Sequence, residues 1–267
     1  MKKLLAIALA ALLLASAFTL TGCRRTRDES TLVIGATAVP HAVILEFIRD
    51  DLYERGITLE IIVFSDFVTV NPALADGQLD ANYFQHIAFL ENWVRDNNRP
   101  IVNAGGIHVE PMGVYSERIT DLDDLRYGAE VGIPGDAVNG GRALALLQNL
   151  GLITLREGVT HRGTVADIVD NPLNLVIREI TSELLPRTLP DLDIALINTN
   201  WALQAGLSPT EDTIAREGVY GYFTNVIAVR NGDQNDERIA ALIEALSTQA
   251  VRDFIYEQYL GRVVPVF

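Results

Sequence analysis

The stretch Pro134-Gly135-Asp136-Ala137-Val138-Asn139-Gly140-Gly141-Arg142 carries the densest chemistry in the chain. It follows a β-rich run and precedes Ala143-Leu144-Ala145-Leu146-Leu147, so it reads as a strand end, a turn and a helix start. Asn139 can cap that helix, and the glycines allow close backbone approach. The free amides of a helix's first turn favour an anion. Arg142 lies in the same turn, where a cation is unfavourable unless an anion is bound, and its planar fork suits a carboxylate. The plainer alternative is an exposed, solvating arginine. A second stretch, Asp80 to Phe89, crosses from a strand end into a helix. There Phe84, His86 and Phe89 can face a crevice at the carboxyl edge of a sheet, where open α/β folds bind ligands. Otherwise both phenylalanines are core and His86 caps the helix.

Enzyme chemistry is poorly represented. Gly-x-Ser-x-Gly, Gly-x-Gly-x-x-Gly, phosphate-loop and His-Glu-x-x-His motifs are all missing, so no catalytic residue and no cofactor is expected. Asp50-Asp51 and Asp123-Asp124 read as solvated faces. His41, His86, His108 and His161 form no local pair, so no metal site is expected; a metal-dependent extracytoplasmic enzyme would need a compact His/carboxylate cluster. The net charge of −14, from 35 acidic and 21 basic residues, leaves no basic face for nucleic acid. Lys2 and Lys3 are the only lysines, so an anion site downstream must use Arg, His or backbone amides.

Lys2-Lys3 precede the apolar run Leu4 to Leu20, and Leu20-Thr21-Gly22-Cys23 follows. Cationic start, apolar middle and small residues make a secretory signal. Leu-x-Gly-Cys resembles the bacterial lipobox, which implies cleavage before Cys23 and lipidation of its thiol. Residues 1–22 are thus expected to be a lipoprotein signal peptide. Residues 23–30 are expected to be a polar tether.

The elements that must position the two stretches alternate strand with helix. Strands are expected at Thr31 to Thr37, Thr58 to Phe64, Leu79 to Phe84 and near Pro100 to Val102, with helices between them. An extended run, Ile107 to Ser116, leads to a second set: strand Glu130 to Pro134, helix Asn139 to Leu150, and strands Leu175 to Ile180 and Asp193 to Asn198. A further extended stretch, Tyr222 to Arg230, precedes one long amphipathic helix from about Asp236 to Tyr259. Two αβ units joined by two extended segments describe one lobe inserted in another, the plan of a hinged binding protein.

Taken together the residues resemble the NlpA family of lipoproteins, which bind methionine for ABC importers. The matching pieces are Ala36 to His41, Asn71 to Leu74, Leu79 to His86, His108 to Ser116, Asn139 with Gly141 to Leu144, Asn171 to Leu175, Leu185 to Arg187, and Ala195 to Asn198. The resemblance implies an α/β, two-lobe type II periplasmic-binding-protein fold, each lobe a mixed sheet flanked by helices, with a ligand cleft between them. Lobe 1 would be residues 31–110 plus 222–267 and lobe 2 residues 111–221. Carried over, Arg142 and Asn139 hold a ligand carboxylate and Asn198 its polar end. Phe67, Phe84, His86 and Phe89 wall its side chain. Phe67 and Phe89 stand where the family often has Tyr, and Gly135 where Asn is common. The implied partners are L-methionine or a similar amino acid, the permease and ATPase of an ABC transporter, and the membrane through lipidated Cys23, on its extracytoplasmic face. Another small apolar amino acid, a Met dipeptide, or a structural lipoprotein with a vestigial cleft are the alternatives.

Overall fold

A computed structural model describes residues 28–267. The expected signal peptide, Cys23 and most of the tether lie outside the described residues. Two lobes form, one around each of two mixed sheets.

The first sheet has the order β13-β4-β12-β3-β1-β2, from β1 (Thr31–Thr37), β2 (Thr58–Phe64), β3 (Ala81–His86), β4 (Ile101–Val109), β12 (Thr224–Arg230) and β13 (Val264–Pro265). β1 runs parallel to β2 and β3, while β12 is antiparallel to β3 and β4. β1 is apolar at nearly every position because both its faces are covered. Leu32, Ile34 and Ala36 pack into one cluster, with Ile44, Leu45 and Leu242. Val33 enters another, with Leu74, Leu79 and Phe84. The covering helices are α1 (Val43–Phe47), α2 (Arg49–Glu54), α3 (Val70–Ala75) and α4 (Ile87–Asn97).

The second sheet has the order β11-β5-β10-β6-β9, from β5 (Gly113–Tyr115), β6 (Glu130–Pro134), β9 (Val176–Ile180), β10 (Ile194–Ile197) and β11 (Thr213–Arg216). A separate pair, β7 (Thr154–Leu155) and β8 (Ile168–Asp170), lies beside it. Its helices are α5 (Ala137–Asn149), α6 (Leu185–Thr188) and α7 (Thr199–Gln204), while α8 (Glu237–Leu246) and α9 (Gln249–Tyr259) pack against the first sheet. Val131, Ile133, Leu144, Leu147 and Leu196 form the core of the second. The chain crosses from the first sheet to the second between Val109 and Gly113, and returns between Arg216 and Thr224.

Three expected elements differ. The short strand at 100–102 and the extended run from 107 are one nine-residue strand, β4, because Gly105 and Gly106 keep their pairing with β12. The single helix from 236 to 259 is two, since Thr248 accepts from Val251 N and caps a new helix. Asn139 does not cap α5: Asp136 does, accepting from the amides of Val138 and Asn139.

Candidate ligand-binding site between the two sheets

The parallel strands β1, β3, β6 and β10 end at Thr37, His86, Pro134 and Ile197, and the chain turns into helical segments directly after each. Their carboxyl ends from both sheets converge on a narrow cleft, at the strand ends where open α/β sheets bind ligands. All seven residues singled out in the sequence line it: Phe67, Phe84, His86, Phe89, Asn139, Arg142 and Asn198.

The aromatic side is a triangle. Phe67, Phe84 and Phe89 have centroid separations of 5.9, 6.0 and 6.0 Å, and Trp201 stands 5.0 Å behind Phe67. Phe84 is buried and packs in the core as well, so the two readings of it coexist. His86 likewise does both things. Its Nδ1 accepts from Phe89 N at 3.2 Å and caps α4, while Nε2 donates to Asn139 Oδ1 at 3.1 Å across the lobes. Burial, then the Arg142 charge, lowers its pKa to about 3, so it is neutral. Behind the wall, the expected Asn71 motif holds Gln85: Asn71 Nδ2 donates to Gln85 Oε1 at 2.8 Å.

The polar side departs from the carried-over roles. Asn139 Nδ2 donates to both Asp136 oxygens, at 3.1 and 3.0 Å. Its Oδ1 accepts from His86 and from Asn198 Nδ2, the latter at 3.0 Å. Its amide is therefore committed to bridging α4, α5 and α7. Arg142 is 2% exposed, which removes the solvating alternative. The anion its helix position demands is the carboxylate of Glu217: Nε lies 3.0 Å and Nη2 2.6 Å from Oε2. Nη2 also donates to Glu110 O at 2.7 Å, and Phe223 lies 3.9 Å from the guanidinium carbon. The bidentate fork expected for a ligand is thus occupied by this chain, and Nη1 is the remaining donor. Two buried polar atoms lining the cavity have no protein partner, Asn198 Oδ1 and Asn200 Nδ2. Such atoms are costly unless something fills the site.

Sequence reasoning missed His41, Gln85, Glu110, Thr199, Asn200 and Asn225 in the lining. It also left the histidines apart, whereas His41, His108 and Glu110 form a compact buried cluster. His108 donates through Nε2 to Glu110 Oε1 at 2.8 Å, while His41 donates through Nε2 to Asn225 Oδ1 at 3.1 Å and lies 3.2 Å from Glu110 Oε1. Thr37 Oγ1 meets His41 Nδ1, and the Tyr83 hydroxyl meets His108 Nδ1. Burial lowers the two histidines to about 4 and about 3, and pushes Glu110 up. Neutral imidazoles and a carboxylate are competent metal ligands. Here, however, every ring nitrogen already has a hydrogen-bond partner in the protein.

Two mixed-sheet lobes with a shared cavity at their strand ends define a hinged substrate-binding protein of the periplasmic type. Residues 32–267 match the NlpA lipoprotein family, and the chain belongs to it. It is 40% identical to the methionine-binding lipoprotein MetQ of Bacillus subtilis, over 100% of this chain and 99% of the relative. A nutrient-binding protein from Burkholderia cenocepacia, solved bound to methionine, superimposes with a TM-score of 0.85 at 38% identity, covering 88% of this chain and 100% of that one. A periplasmic substrate-binding protein of an ABC transporter from Coxiella burnetii gives 0.84 at 39%, with the same coverage.

Proposed function

We propose that this protein captures L-methionine between its lobes and delivers it to the permease and ATPase of an ABC importer, without catalysis of its own. Lobe 1 is residues 31–110 plus 222–267 and lobe 2 residues 111–221. The chain is held by lipid at Cys23 on the extracytoplasmic face of the membrane. The observation that carries the reading is the composition of the cavity: three phenylalanines on one side, and on the other Arg142 with the unpartnered Asn198 Oδ1 and Asn200 Nδ2. A thioether gains about 0.3–1.5 kcal/mol from aromatic contact. Asn198 Oδ1 accepts from the ligand ammonium, and Asn200 Nδ2 with Arg142 Nη1 donates to its carboxylate.

The test is calorimetric titration of full-length protein stripped of bound ligand, against L-methionine, D-methionine, leucine and methionine dipeptides. L-Methionine is expected to bind most tightly. A tighter leucine or dipeptide moves the assignment to that ligand, and no binding by any of them overturns an amino-acid binder. The His41–His108–Glu110 cluster favours one second reading, a metal site. Zinc held by the purified protein and released by His108→Ala would support it.

A further inference from the structure

Arg142 belongs to α5, yet its partners come from the two crossovers. Glu217 and Phe223 lie on the returning segment, and the Glu110 carbonyl on the outgoing one. The crossovers are themselves joined at the same point. Glu217 N donates to Met112 O at 2.9 Å, and Met112 N donates to Glu217 Oε2 at 3.2 Å. One carboxylate, 8% exposed, therefore receives both the guanidinium and the other crossover's backbone. Attachment of a planar guanidinium along its Nε–Nη2 edge fixes the plane and direction of Nη1.

We propose that Glu217 is a positioning residue for ligand recognition: it fixes Arg142 against both crossovers, so that Nη1 meets a ligand carboxylate only while the crossovers are paired. The inference rests on the amino-acid-binding reading above. Glu217 also offsets the charge of Arg142, so the cavity offers the carboxylate an oriented donor in place of a free cation.

The experiment is titration of L-methionine into stripped full-length wild type, Glu217→Gln, Arg142→Gln and the double variant, each with its melting curve. Glutamine keeps side-chain bulk at both positions. Each single change is expected to weaken binding about tenfold, within the usual range for contacting partners. The double variant is expected to bind no more weakly than Arg142→Gln alone, because Glu217 acts through Arg142; a general structural defect would multiply the losses. If the glutamine variant does not fold, Glu217→Asp carries the test. It keeps the charge but withdraws the carboxylate by one methylene, and is expected to lose about threefold or more. A folded Glu217 variant within threefold of wild type, or losses that multiply in the double variant, overturns the proposal. When that happens while Arg142→Gln is weakened, the carboxylate contact survives and only the role of Glu217 fails. Near-wild-type binding by Arg142→Gln removes both.

Discussion

His41, His86 and His108 are buried and held near pH 4, 3 and 3, below their ordinary 6.5. Such groups take up protons on unfolding, so their stabilisation is complete above pH 6.5 and is lost as pH falls toward 4 and 3. Glu110 has the opposite sign. Burial raises it above 4.5, so its contribution is present below 4.5 and is lost as pH rises through its folded value. One carboxylate offsets at most one of the three histidine protons, so uptake by the histidines dominates, each net proton being worth about 1.4 kcal/mol per pH unit. The melting temperature of ligand-free protein is therefore expected to fall steadily from pH 7 to pH 5. A flat or rising curve would contradict the neutral state of these histidines. Six of the seven cavity residues lie in stretches that stand out in the sequence at strand ends; Phe67 lies in none of them and came only through the family resemblance. Glu217 and Asn200 were not. Glu217 is a single acidic residue 75 positions from Arg142, and only the return crossover brings the two together.

The strand–turn–helix unit β6–α5 shows what a short motif can fix. Its glycines do allow close approach, but the approaching group is this chain. A Cβ on Gly140 would lie 2.7 Å from Pro134 O, and one on Gly141 would lie 2.9 Å from Gly163 O and closer still to His161 O. Backbone cannot yield as a side-chain tip can. Gly141→Ala is therefore expected to cost about 1–3 kcal/mol by overpacking and to push the 160–163 loop away from α5. Chemical denaturation measures the first effect and hydrogen exchange of that loop the second; a wild-type midpoint would refute the packing argument. Strands β1, β2 and β6 were legible to the residue, since short β-rich runs bounded by polar or small residues delimit them. The break between α8 and α9 was not. The apolar stripe runs on through Leu246 and Val251, and Ser247-Thr248 interrupts the backbone without interrupting the pattern.

At the scale of the whole molecule, the acidic body has no intrinsic reason to stay at a bilayer. The net charge is −14, which an anionic membrane surface repels. Among the described residues, no helix is long and apolar enough to cross a membrane. The proposed attachment is the lipid at Cys23, before the described residues. A single acyl chain gives only marginal, reversible binding, and stable anchoring needs two hydrophobic signals. Expressed in a bacterium, wild type is expected in the membrane fraction, processed before Cys23 and carrying lipid there. Cys23→Ala removes the acceptor thiol, so processing at that bond is expected to fail and the apolar run Leu4 to Leu20 to stay attached. Fractionation alone does not separate the two forms, because the retained apolar run can itself hold the precursor at the membrane. Intact mass does separate them: processed protein heavier by its lipid for wild type, full-length unmodified chain for Cys23→Ala. A processed wild type whose Cys23 carries no lipid would overturn the anchor and leave the body a freely diffusing carrier.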